Sequence, residues 1–200
     1  MTQAKKETVD QPNDDIVLRD VRVCFPQIWE KKSVMGSEPR YSATFLIDPV
    51  QNADALKALA EGIDYLVDTD KKLDGVRPKA KLCLKDGDAL NADARDEGKR
   101  EYDEFAGQMV LRTAQTRSLL VFDQSNKRLE FGVDGEDCYG GMVVTALVDL
   151  YAWAFQGSKG ISASLSAIKL VRDGERFGGA GRSEESVIAA FGDDDDSAPF

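Results

Sequence analysis

The clearest pattern in the chain is an unbroken alternation from Met142 to Phe155. One face reads Met142, Val144, Ala146, Val148, Leu150, Ala152 and Ala154, apolar throughout. The other reads Val143, Thr145, Leu147, Asp149, Tyr151, Trp153 and Phe155, and ends in three aromatic rings at period two. Alternation of this length predicts a strand with one face toward a core. Gln156 to Gly160 predicts a five-residue turn. Ile161 to Val171 predicts a returning strand in which Ile161, Ala163, Leu165, Ala167 and Lys169 alternate with serines and Ile168. The two strands make a long hairpin. Near the start, Ile16 to Phe25 predicts a strand with Val17, Arg19, Val21, Val23 and Phe25 on one face, ended by Pro26. Gln27 to Pro39 reads as a loop, and Arg40 to Ile47 as a second strand stopped by Asp48-Pro49. These form another hairpin, whose long connection holds Trp29, Lys31 and Lys32.

Between the hairpins the period changes. Leu56, Leu59, Ala60, Ile63, Leu66 and Val67 recur at helical spacing after a cap at Asn52 or Asp54, with Gly62 as a weak point. Thr69 to Ala80 reads as a charged turn region and Lys81 to Lys85 as a short strand or a turn of structure. Asp86 to Glu104 is so highly charged that it reads as an excursion over the surface. Gly107 to Thr116 is a strand with Met109, Leu111 and Thr113 opposite Val110, Arg112 and Ala114, and Ser118 to Phe122 is a short apolar stretch. The chain is therefore expected to be mainly β. At least five strands, with one helix after the second, fit a closed or partly closed antiparallel barrel better than α/β layers. Residues 1–15 lack periodicity and are expected to be disordered, residues 16–182 form the domain, and 183–200 form a flexible acidic tail.

Composition changes this picture in two places. The formal net charge is −10, which looks unsuited to a polyanion. Its distribution is uneven, however. Residues 1–15 hold two bases and four acids, residues 183–200 hold six acids and no base, and the body is left near neutral with 24 bases and 26 acids. A near-neutral body can present one basic groove. The chain has no histidine, which removes Ser-His-Asp, Cys-His and most metal-hydrolase arrangements. Cys24, Cys83 and Cys138 are odd in number and far apart, so they read as reduced structural thiols in a cytoplasmic protein. No run approaches the ~20 apolar residues of a membrane span.

Candidate chemistry then narrows to binding. Tyr151, Trp153 and Phe155 would stand about 7 Å apart along one strand, two residues of rise each. Covered, such a face is half of a core; exposed, it is a platform on which bases can stack. Trp29, Lys31, Lys32, Arg40 and Tyr41 in the first hairpin supply neighbouring rings and cations, as do Arg112, Arg117 and Lys159. Cations for phosphates and rings for bases are what binding of a single strand without sequence preference requires. Asp86, Asp88, Asp93, Asp96, Glu97, Asp103 and Glu104 could in principle hold a metal, but interleaved bases and the lack of an apolar frame favour a solvated loop. No nucleophile has a plausible base, and no cofactor or metal is expected.

The chain ends on Asp193, Asp194, Asp195, Asp196, Ser197, Ala198, Pro199 and Phe200. Four adjacent carboxylates stay solvated, while the terminal ring and carboxylate suit a pocket with a basic rim on a partner protein. These eight residues resemble the tail of bacterial single-stranded DNA-binding proteins. The segments Val21–Pro26, Tyr41–Pro49, Gly157–Ala163, Val171–Glu175 and Gly178-Gly179 resemble the phage single-stranded DNA-binding protein family, formerly a domain of unknown function. The resemblance spans roughly residues 16–182 and the tail. It implies an OB-fold barrel like that of the T7-type phage single-strand binder. It also implies a non-enzymatic protein that binds and protects single-stranded DNA in phage replication, recombination or repair, in the host cytoplasm. Replication or recombination proteins would be recruited through the tail, and homo-oligomers are compatible with this role. The rival class is a β-structured interaction or virion scaffold whose aromatics are all core; a nuclease comes third.

Overall fold

The computed structural model describes residues 11–33, 36, 38–78, 81–130 and 138–177. Among them, seven strands and two α-helices run in the order β1 (Ile16–Lys32), β2 (Arg40–Ile47), α1 (Ala53–Thr69), β3 (Leu84–Asp86), α2 (Gly87–Asp96), β4 (Met109–Gln115), β5 (Leu120–Phe122), β6 (Val143–Phe155) and β7 (Ser158–Arg172). β1 pairs with both β2 and β6, β2 with β4, and β6 with β7, all antiparallel. A parallel contact between β4 and β7 at Thr113 and Ala163 then closes the ring. The closed order β1-β2-β4-β7-β6 is a five-stranded OB-type barrel. β3 and β5 lie outside the ring, on β4 and β7 respectively. No helix among the described residues is long and apolar enough to cross a membrane.

The barrel interior is built by the alternation. Val144, Ala146, Val148, Leu150 and Ala152 of β6 point inward and are almost fully buried. So do Phe45 and Ile47 of β2, Leu111 of β4, and Ile161, Ala163 and Leu165 of β7. Two strands change phase on the way. In β1 the ladder to β6 shifts between Leu18 and Val21, around Asp20 at φ 52°, so Ile16 and Leu18 share the interior with Val21 and Val23 while Val17 and Arg19 face out. In β7 the shift falls at Ser166. It puts Ile168 and Leu170 inside, where unbroken alternation places Ala167 and Lys169. An extra residue in one strand inverts every side chain beyond it.

β1 also continues through Pro26. The ladder to β2 is irregular between Cys24 and Gln27, so the missing proline N–H falls where no ladder bond is made, and pairing resumes as far as Lys32 opposite Arg40. Trp29, Lys31 and Lys32 therefore stand on a strand and not in a loop. The β6–β7 connection is tighter than five residues. Phe155 pairs with Ser158, and Gln156 and Gly157, at φ 47° and 76°, make a two-residue turn whose twist suits a hairpin.

The charged stretch after Lys85 is not a free excursion. Asp86 ends β3 and caps α2, its carboxylate accepting from the Ala89 N–H at 2.9 Å. Asp88 accepts from Gly107 N–H at 3.1 Å, Arg95 binds Glu101, and Lys99 binds Glu97. The frame that the composition hides is a small external cluster in which Phe105 packs with Cys24, Leu46 and Val110. Burying a phenylalanine there contributes about 2–3 kcal/mol. Asp86 and Asp88 thus fix α2 and the turn at Gly107, while Glu97 and Glu101 pair with bases on the same segment.

α1 closes one end of the barrel with Leu59, Ile63 and Leu66. Its glycine has a steric reason. A Cβ on Gly62 would lie 2.8 Å from the Pro12 carbonyl oxygen and 3.1 Å from the Leu150 side chain. Residues 11–15, expected to be disordered, are held there: Asn13 is buried, its carbonyl accepts from Leu150 N–H at 2.7 Å, and its amide donates to the Leu150 carbonyl at 3.0 Å. Gly62→Ala would gain ~1 kcal/mol of helix propensity. We expect the overlap with fixed backbone to outweigh this, lowering Tm by a few degrees in thermal unfolding.

Candidate nucleic-acid interface

Because β6 aims its apolar face inward, its ring-bearing face must lie outside the barrel. Tyr151 is 41% exposed and Phe155 68%, with Trp153 half-buried between them. Directly across on β7 stand Ser162 opposite Tyr151, Gly160 opposite Trp153 and Ser158 opposite Phe155. Small partners leave the rings uncovered on that side. The indole of Trp153 lies over Gly160: a Cβ there would come 2.5 Å from its Cε2 and 2.7 Å from the Lys81 carbonyl. The Lys81 ammonium stands 5.6 Å from the indole centre. The rings are therefore neither a core half nor free appendages. They form an external face whose central member is seated on a glycine.

The second group of candidates lies on β1, β2 and β4. Trp29 and Tyr41 pack at the rim of the core with one side toward solvent, and the Lys31 ammonium lies 5.7 Å from the Tyr41 ring. Tyr41 pairs with Gln115 at the end of β4, and the Gln115 side chain accepts from the N–H groups of Thr116 and Arg117, shaping the turn that presents Arg117. Arg112 points outward from the middle of β4, opposite Thr44. Among the described residues no carboxylate lies within 4 Å of Lys31, Lys32, Arg112 or Arg117. Arg40 is paired with Glu38 at 3.8 Å, and Lys159 with Asp74. Exposed pairs of this kind are weak and can be exchanged for a phosphate.

The barrel closure joins the two groups. Thr113 and Ala163 pair directly, so Arg112 and Ser162 stand one residue before that contact, at the fork where residues 81–84 wedge between β4 and β7. An outward row results across four strands: Thr44 on β2, Arg112 on β4, Ser162 on β7 and Tyr151 on β6. Arg112 and Tyr151 are two to three strand spacings apart, about 10–15 Å. Thr44 and Arg112 lie on the second and third barrel strands, and the row runs between the first hairpin and the β6–β7 turn. In OB barrels this is the region that takes up oligonucleotides and oligosaccharides.

Burial pushes the Cys24 thiol up to about 12, helped by the Glu104 carboxylate and opposed by Arg22, and burial likewise raises Cys83 to about 11 and Cys138 to about 12. Neutral thiols are poor nucleophiles and poor metal ligands. Asp193, Asp194, Asp195, Asp196, Pro199 and Phe200 lie outside the described residues. Sequence reasoning missed Lys81, which reaches Trp153 only because its segment wedges beside β7, and the ring of Phe25, treated below.

The closed five-stranded ring defines the class of OB-fold barrels. Residues 14–198 match the family model described as Enterobacter phage Enc34, ssDNA-binding protein, and the chain belongs to that family. Protein p50 of Acyrthosiphon pisum secondary endosymbiont phage 1 is 32% identical over 175 residues, covering 83% of this chain and 88% of that protein. Among solved structures, the single-stranded DNA-binding protein from bacteriophage Enc34 in complex with ssDNA superposes with a TM-score of 0.71 at 22% identity, over 88% of this chain and all of that one. The gp2.5 single-stranded DNA binding protein of bacteriophage T7 has the same fold at a TM-score of 0.51 and 11% identity, over 93% of this chain and 99% of that one.

Proposed function

We propose that this protein binds single-stranded DNA without an enzymatic step and with little sequence preference, along the outward row from Thr44 through Arg112 and Ser162 to Tyr151. The observation that carries the reading is the joining, across the barrel closure, of exposed rings to cations that have no carboxylate partner among the described residues. Rings accept any base, and phosphate contacts supply salt-dependent affinity. Trp29, Lys31, Lys32, Arg40, Tyr41 and Arg117 extend the surface toward the first hairpin, and Trp153 and Lys159 toward the second. Membership of a phage single-stranded DNA-binding family supports this reading, as does the Enc34 structure with ssDNA. The role follows as strand protection in phage replication or recombination within the host cytoplasm. The test is an anisotropy titration with labelled oligothymidylate beside duplex of equal length. Tight, salt-sensitive binding of the single strand that survives EDTA is expected; equal affinity for duplex would count against the reading.

The acidic tail adds a second part to the proposal. Asp193 to Asp196 are tethered to a body that presents cations, so their effective concentration there is high. They compete with DNA phosphates, and a bound strand releases Phe200 for a replication or recombination partner. Deleting residues 192–200 is expected to raise affinity for single strands at low salt, where charge competition is least screened. Phe200→Ala should leave DNA affinity nearly unchanged and damage recruitment. Overlapping salt series for intact and tail-deleted protein would sink the competition.

A further inference from the structure

The barrel row leaves a second set of rings and cations unused. At the irregularity in β1, Phe25 takes φ 48°, a left-handed conformation costly for a bulky side chain, and its ring is 48% exposed. The ring meets Tyr102 edge-on, with centroids 5.2 Å apart, and Tyr102 in turn rests on buried Phe105 at 5.0 Å. Phe25, Pro26, Tyr102 and Phe177 line an open cleft of about 350 Å³, with Arg100 and Glu104 at its walls. Cations lie against these rings: the Arg100 guanidinium 5.4 Å from the Tyr102 centre and that of Arg22 4.1 Å from Phe177. Arg176 stands 3.8 Å from Tyr139 next to the cleft. Among the described residues none of the three arginines has a carboxylate within 4 Å.

We propose that this cleft is a second nucleotide subsite, taking bases of the same single strand beyond those on the barrel row. The inference rests on the single-strand-binding reading above. Two observations make the occupant a nucleotide. The first is chemical. Aromatic walls flanked by guanidinium groups that have no carboxylate partner among the described residues, Arg22 donating only to the Glu175 carbonyl at 2.9 Å, suit a base between rings with its phosphates outside, and Glu104 inside the cleft favours the N–H edge of a base over a phosphate. The second is positional. Cys24, on the cleft wall, pairs with Thr44, and Thr44 with Arg112, so the cleft begins two strand spacings, about 10 Å, from the central cation of the row. A strand held at Arg112 passes over Phe25 when it continues past β1. A strained aromatic aimed outward at this crossing is what a ligand clamp needs and a core does not.

The experiment uses full-length protein with oligothymidylates of ~6 and ~30 nucleotides, the first near the low end of the usual site size of one barrel and the second well above it. Phe25→Gly removes the ring at a position whose φ favours glycine, and Arg100→Glu reverses an exposed charge; thermal unfolding verifies that both variants fold. Each is expected to weaken binding of the long strand about tenfold and shorten the occluded length, leaving the short one unchanged. If both bind the long strand like the native protein while Arg112→Glu is weakened, the cleft is no subsite and the barrel reading stands. If the native protein binds neither length, both readings fall together.

Discussion

Arg112→Glu is expected to weaken single-strand binding by at least tenfold at ~0.1 M salt and to flatten the dependence of log K on log salt by about one unit. The estimate follows from counterion release. One phosphate contact to a single strand contributes a slope near 0.7, hence about fivefold in affinity between 1 M and 0.1 M salt, and the reversed charge adds repulsion to that. Arg112 is chosen because it stands at the centre of the outward row and, among the described residues, has no carboxylate to satisfy it. Reversing its charge both removes the contact and adds repulsion. The fold should be indifferent, since the side chain is exposed. Lys159→Ala, whose charge is already answered by Asp74, should cost less. A salt series for the two variants checks this ordering, and equal losses would move the centre of the interface away from β4.

Tyr151→Ala and Gly160→Ala are expected to separate binding from folding. Tyr151 is exposed opposite Ser162, so its removal should leave Tm within about a degree while costing about 1–3 kcal/mol of stacking, a five- to hundredfold loss of affinity. Gly160→Ala adds one methyl group where the indole of Trp153 and the backbone of Lys81 already meet. Overpacking of this kind costs about 1–3 kcal/mol, and Tm should fall by about 3–10 °C. Displacing the indole should also reduce the quenching of tryptophan fluorescence by oligonucleotide, leaving only the share from Trp29. Calorimetry beside fluorescence titration reads both effects. A Tyr151→Ala protein that unfolds would show the ring to be structural.

The β6–β7 hairpin shows how far pattern alone reaches. Its inward face was legible because every second residue from Val144 to Ala152 is apolar, and burial follows that period. Which use the opposite face had was not legible. Three rings at period two are compatible with a second apolar layer until the small partners on β7 and the open outer wall are known. The stretch after Lys85 misled for a related reason. Its acids dominate the composition, yet one phenylalanine, Phe105, docks it, and that depends on Leu46 and Val110 from distant strands. Pro26 misled through a local rule, since proline ends a strand only where the ladder needs its N–H.

By itself the sequence determined the strand succession, the helix after the second strand, the inward phase of β6, the concentration of acid in the two ends and the family motifs. These are local in the chain, or periodic, and periodicity is set by backbone geometry wherever the segment ends up. Only the tertiary structure decided that β4 meets β7 in parallel and so brings Arg112 onto one outward row with Ser162 and Tyr151. It alone placed Lys81 at Trp153, and it alone turned Phe25 outward toward Tyr102. Each of these contacts depends on register: a single bulged residue inverts the faces of a strand, and the chain does not announce where a bulge falls until two strands are paired.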